Sequence, residues 1–167
     1  MTPSVLSLRD FTVSFKTPNG TVQAVRGVDI DVAPGEMVGV VGESGSGKSV
    51  TFLGILGLLP NSARISGSAT VEGVELVGAS NKVMRGVRGK KIAMIFQDPR
   101  AGINPIRRVG DFLTESLRRN HHVPKDRARS QAVELLRAVG LDDPERHFRQ
   151  YPHELSGGML QRVMIAG

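Results

Sequence analysis

The sequence predicts an α/β protein with an antiparallel β opening, a parallel-sheet core built on a strand–loop–helix unit, and a helical second half. Three observations predict it. β-forming residues crowd the start of the chain and are interrupted by the turn Thr17-Pro18-Asn19-Gly20. An apolar run, Met37-Val38-Gly39-Val40-Val41, passes directly into a glycine-rich loop and then a helical pattern. Beyond Asp98-Pro99 the apolar spacing changes to the helical period.

Taken in order, Val5–Phe15 and Thr21–Val32 read as two strands joined at the Pro18-Asn19 turn. Pro34-Gly35 makes another turn, and Met37–Val41 suits a strand buried on both faces of a parallel sheet. Ser49–Leu59 reads as a helix stopped by Pro60. Ala63–Val77 is further strand and turn, and Asn81–Val87 a short helix. Lys91–Phe96 is a second strand of the buried type, ending at Gln97-Asp98-Pro99. Val109–Arg119 and Lys125–Val139 follow as helices, the second with Pro124 at its start and Gly140 past its end. Asp143-Pro144 opens a short helix, and Gly157–Ala166 another. The expected division is a core built on the strand–loop–helix unit over residues 1–97 and a helical subdomain over 98–167.

A 17.9 kDa chain with 40% hydrophobic and 23% charged residues is globular rather than disordered. The lack of cysteine excludes disulfides, thiolate metal sites and Cys nucleophiles, and fits a reducing cytoplasm. No secretory signal is visible, and the apolar stretches fall far short of the ~20 residues that cross a bilayer. If the protein works at a membrane, another chain supplies the spans. A pI of about 10.3 invites a nucleic-acid reading. Against it, the basic residues read as scattered among acids, as in Lys125-Asp126-Arg127, and the chain has 4% aromatics and no Trp for stacking bases. An ordinary solvated surface, helped by anionic phosphates or lipid nearby, is the favoured reading of the charge, and no nucleic-acid partner is expected.

Gly42-Glu43-Ser44-Gly45-Ser46-Gly47-Lys48-Ser49 fits G-x-x-x-x-G-K-[ST] in full. Backbone N–H groups of a tight loop encircle phosphate oxygens only where side chains do not obstruct them. The following helix adds the positive end of its dipole, Lys48 a full charge for the β- and γ-phosphates, and the Ser49 hydroxyl a hard oxygen suited to Mg²⁺. The plain alternative is a flexible Gly/Ser turn. A chance match along this chain is roughly one in a hundred, and the flanking strand and helix make it rarer.

Further on, Ser156-Gly157-Gly158 before a helix forms either a second anion-binding helix start or a Ser cap with loop glycines. The whole segment, Leu155-Ser156-Gly157-Gly158-Met159-Leu160-Gln161-Arg162, resembles the signature of ATP-binding-cassette (ABC) proteins. Gln97, ending the Lys91–Phe96 strand, looks like the family's Q-loop glutamine, whose amide oxygen can touch Mg²⁺ or the attacking water. With Phe96-Gln97-Asp98-Pro99, Asn104-Pro105 and Tyr151-Pro152-His153-Glu154, the chain is similar to the ATPases of dipeptide and oligopeptide importers. Nickel importers share much of this pattern.

The resemblance implies a P-loop cassette that binds ATP and Mg²⁺. Gly42–Ser49 would hold the phosphates, Ser49 and Gln97 the metal, and Ser156, Gly157 and Gly158 the γ-phosphate of a second cassette. Lys48 and Gln97 would be its catalytic residues within this chain. An adenine-stacking aromatic is implied upstream, and Phe15 matches it, although Phe15 also suits a hairpin core. The implied partners are membrane permease subunits, a second ATPase subunit, identical or not, and indirectly an extracytoplasmic solute-binding protein, at the cytoplasmic face of the membrane. In complete cassettes a further apolar strand ends in Asp-Glu, followed by a switch histidine. Residues 1–167 show neither, so the parallel sheet is expected to be incomplete and these residues alone inactive. A non-catalytic nucleotide-binding module and a soluble ABC ATPase acting on DNA or ribosomes are the alternatives. His121, His122, His147 and His153 lack metal-ligand spacing, and Met159 and Met164 read as helix packing.

Overall fold

The computed structural model describes residues 4–167, and the chain divides into two compact units, one ending at Ile92 and the other beginning at Ala93. The first unit is organised by one long strand, β1 (Leu6–Thr17), against which β2 (Gly20–Arg26), β3 (Ile30–Val32) and β4 (Ala63–Val71) all pair antiparallel. β5 (Val74–Glu75) adds to β4, giving the order β2-β1-β4-β5 with β3 also on β1. The Pro18-Asn19 turn closes the first hairpin, with Thr17 opposite Gly20.

The single strand expected over Thr21–Val32 is split into β2 and β3. The physical reason lies in β1, which bulges at Asp10 with φ +43. The Asp10 amide donates to Asp29 Oδ1 at 2.7 Å, and Phe11 and Val28 exchange backbone hydrogen bonds at 3.1 Å. The partner strand must jog at Gly27 to follow the bulge.

Helix α1 (Lys48–Ile55) lays Ile55 and the bare face of Gly54 on the sheet, against Phe11. Leu8, Val13, Val25, Ala69 and Val71 complete the sheet side of this core, and α2 (Asn81–Val87) contributes Met84 and Val87. α1 ends earlier than the Pro60 stop expected from sequence. Gly57 adopts φ +59, with Gly57 N–H bonded to the Gly54 carbonyl and Leu58 N–H to that of Leu53. That paired pattern closes a helix on a left-handed glycine.

Two expected strands are absent. Met37–Val41 and Lys91–Phe96 carry no β-ladder, apart from one isolated parallel bridge between Arg88 and Ile92. Met37 is 96% exposed and Val41 93%. A parallel strand needs neighbours for its N–H and C=O groups, and no strand pairs with either segment among the described residues.

The second unit is helical: α3 (Pro99–Gly102), α4 (Val109–Asn120), α5 (Lys125–Ala138), α6 (Pro144–Arg149), a 3₁₀ turn (Pro152–Glu154) and α7 (Gly157–Ala166). Its core joins Val109 and Leu113 of α4, Ala132 and Leu136 of α5, and Leu160 and Val163 of α7. Gly140 ends α5 with φ +75, and Asp143 caps α6 by accepting from the Arg146 amide.

Candidate functional site

The glycine loop leads directly into α1. Glu43 and Ser46 close a turn within it (3.3 Å), and Gly47 caps α1 in the left-handed conformation, φ +92. Gly45 is left-handed too, φ +84. The two differ in surroundings. A Cβ on Gly45 would meet nothing, whereas one on Gly47 would sit 2.7 Å from the Ala24 carbonyl oxygen and 3.3 Å from Val25. Gly47 is therefore required by backbone shape and by its approach to β2.

Lys48 folds back over the loop. Its ammonium donates to the carbonyl oxygens of Gly42 and Glu43, each at 2.7 Å, and to Ser46 Oγ at 3.1 Å. The charge is thus held over the concave side of the loop, next to the start of α1, where no side chain caps the first-turn amides. Ser49 is exposed on that first turn. Thr51, one turn in, donates through Oγ1 to the Gly47 carbonyl at 3.0 Å.

Gly42, Gly45, Ser46, Gly47, Lys48 and Thr51 line a cleft of about 530 Å³ whose other wall is β2 and its continuation, Gln23, Ala24, Arg26 and Val28, while Ser49 lies outside the lining. Thr51 and the β2 wall were not singled out from sequence. The small Ala24 facing Gly47 is meaningful only once strand pairing is known. Phe15 is half-buried on β1, opposite Val22 and Ala63, packs with the sheet core and does not line the cleft. Glu43 and Ser44 are exposed on the loop, outside the lining.

Gln97 and the Ser156–Gly158 segment belong to the second unit. Gln97 is exposed just before Asp98, whose carboxylate caps α3 through the Arg100 amide at 2.9 Å. Ser156 caps α7, accepting from the Met159 amide at 3.3 Å, and Gly157 and Gly158 are exposed with no heavy atom where a Cβ would stand. Just upstream, Glu154 accepts from the Tyr151 amide, and the His153 ring stacks on Tyr151 with centroids 5.7 Å apart. No group of metal-ligating His, Cys, Asp or Glu occurs among the described residues.

A family described as ABC transporter matches residues 25–167, from the β2 wall of the cleft through α7. The chain belongs to the ABC transporter family. Among curated ABC proteins it is 48% identical over 164 residues to the oligopeptide transport ATP-binding protein OppD of Bacillus subtilis, covering 97% of this chain and 46% of that protein. The dipeptide transport ATP-binding protein DppD of the same organism is 49% identical, with 97% and 49% covered. OppD of Escherichia coli is 43% identical, with 98% and 48% covered. This ABC chain therefore spans about half the length of the curated relatives it matches. Among solved structures, the dimeric bacterial ABC transporter cassette MJ0796 superposes with a TM-score of 0.84 at 26% identity, over 96% of this chain and 67% of that one. The same cassette has been solved bound to ADP and Pi, with an equal TM-score. The fold is thus the mixed α/β cassette of ABC ATPases.

Proposed function

We propose that the complete protein is the ATP-hydrolysing subunit of a peptide importer. The observation that carries this is the loop itself: a left-handed Gly47 pressed against β2, with the Lys48 ammonium held over the loop's concave side. The residues present fit a nucleotide with Mg²⁺. Gly42–Ser49 offer one fixed cation beside first-turn amides of α1 that no side chain caps, and the Ser49 hydroxyl is an exposed hard ligand on the first helical turn. In this reading Ser49 would hold the metal, with Gln97 proposed as a further oxygen ligand, and the metal would supply charge neutralisation for the phosphates; Ser156 with Gly157 and Gly158 would serve the site of a second cassette. Base stacking is not assigned to Phe15, which packs with the sheet core and lies outside the cleft lining.

The functional division proposed is a nucleotide-binding core over residues 1–97 and a helical subdomain over 98–167, although the compact units change over between Ile92 and Ala93 and place Gln97 in the second. Residues 1–167 alone are proposed to hydrolyse ATP negligibly. The cleft lining contains no carboxylate to act as general base, and Glu43 stands outside it. The relatives' names support peptides as the solute. No helix among the described residues is long and apolar enough to cross a membrane, so permease subunits would supply the path, with this subunit at the cytoplasmic face and a solute-binding protein acting through them.

The test is peptide uptake by vesicles containing the full-length protein and its permeases. Lys48→Ala and Ser156→Arg should each abolish ATP-dependent uptake. Retention of uptake by either variant would overturn the corresponding assignment.

A further inference from the structure

A second cleft, of about 570 Å³, opens in the helical unit where α4 turns into α5. In the sequence its basic residues look dispersed and balanced by acids. The fold gathers Arg107, Arg118, Arg119 and Lys125 around one cavity, with the His122 ring at the turn. Two carboxylates face the same space. Glu115 is already engaged by two of the cations, pairing with Arg107 and, at 2.7 Å, with Arg119. Asp111 is the other acid, exposed on the first turn of α4.

Arg118 and Lys125 have no salt-bridge partner among the described residues, and both are exposed. Lys125 is also poorly placed for its own helix. It is the first residue of the 14-residue α5, so its charge lies at the positive end of the dipole, where Pro124 at the cap has no side-chain acceptor and Asp126 of the first turn offsets the charge in part. An anion held between Lys125 and Arg118 relieves that repulsion. Guanidinium and ammonium donors presented together in a polar cavity suit tetrahedral phosphate oxygens.

We propose that this cleft is an anion site, separate from the glycine loop, that takes a phosphate group through Arg118 and Lys125. The group comes either from a free phosphate-bearing solute or from an anionic lipid headgroup. Its chemistry is the same in both cases, and the source decides whether the site senses solutes or holds the subunit against the bilayer.

The experiment uses the full-length protein and two probes. Cosedimentation is measured with phosphatidylcholine vesicles containing or lacking phosphatidylglycerol, and inorganic phosphate binding is followed by ³¹P line broadening. Arg118→Gln/Lys125→Gln is compared with wild type and with Arg137→Gln/Arg149→Gln, which removes the same charge elsewhere on the helical unit's surface. Neutralising the cleft pair should weaken binding of the responsive probe about thirtyfold, at roughly a factor of five per cation, while the control pair changes it little. A response to phosphatidylglycerol alone assigns the site to lipid, and a response to phosphate assigns it to solute. Equal losses in the two double variants, or no difference between the cleft variant and wild type with either probe, would overturn the proposal. Phosphate broadening that survives undiminished in the cleft variant would overturn the assignment to solute.

Discussion

Gly67 of β4 lies directly against the bulge of β1, so that a Cβ on Gly67 would stand 2.2 Å from the Asp10 carbonyl oxygen. The contact is with backbone on both sides, and Gly67 is left-handed, φ +84. Gly67→Ala meets both a clash and backbone strain. It should destabilise the full-length protein by about 2–4 kcal/mol, read as a lower denaturation midpoint.

The left-handed Gly45 and Gly47 of the glycine loop should separate in the same measurement. Gly45→Ala meets only open space, and should cost about 1 kcal/mol of backbone strain. Gly47→Ala adds the collision with the Ala24 carbonyl. It should cost about twice as much or more and also weaken nucleotide binding at least tenfold. Equal behaviour of the two variants would show that the approach to β2 is not what fixes the loop.

Arg88 closes the end of α1 that points away from the loop. Its Nε donates to the Leu56 carbonyl at 2.6 Å and one Nη to that of Gly57 at 2.9 Å, placing a cation on the negative end of the helix. Arg88→Ala should lower stability by about 1–2 kcal/mol. Arg88→Lys should recover only part of this, since an ammonium cannot reproduce the fork.

Glu75 provides a pH-dependent contribution. Partial burial works to raise its pKa, but hydrogen bonds from Ser68 Oγ and from the amides of Ala69, Val77 and Leu76 together outweigh it, holding the carboxyl below its usual range. A depressed folded-state pKa gives stability that is present above the unfolded pKa of about 4.3 and is lost as pH falls through the folded value. The stability gap between wild type and Glu75→Gln should therefore be widest near neutrality and shrink below about pH 4 in paired denaturation series.

Ser156 has a structural task that can be separated from its proposed role at a partner's nucleotide. As the cap of α7 it should be worth about 0.5–1 kcal/mol, so Ser156→Ala should lower the midpoint slightly, and Ser156→Asp, which keeps an acceptor, should restore it. Loss of ATP turnover in Ser156→Asp despite restored stability would isolate the chemical role from the cap.

Local signals carried far in this chain. Residues 81–87 form the short helix expected there, and α4 to α7 follow their apolar periodicity, closed by Gly140 and opened by Asp143, because a helix and its caps are decided within a few residues. The glycine loop was legible for the same reason: its geometry is a property of consecutive residues. What depends on distant pairing was not. The jog at Gly27 follows from a bulge 17 positions earlier, and the part played by Ala24 in shaping the cleft exists only because β2 runs beside the loop. Met37–Val41 shows the same limit from the other side. Apolar, β-branched character marks a segment as suited to a strand, but only a neighbour makes it one.

That uncovered segment sets an order on biosynthesis. β1 meets all its partners within the first 71 residues, so the antiparallel sheet can close while later residues are still on the ribosome. Met37–Val41 emerges inside the same stretch, with no proline, no charge and strong β character, and it stays adhesive for as long as it goes unclaimed. The nascent protein is then most vulnerable after its first sheet has formed, and that interval is when a holding chaperone would have most to bind.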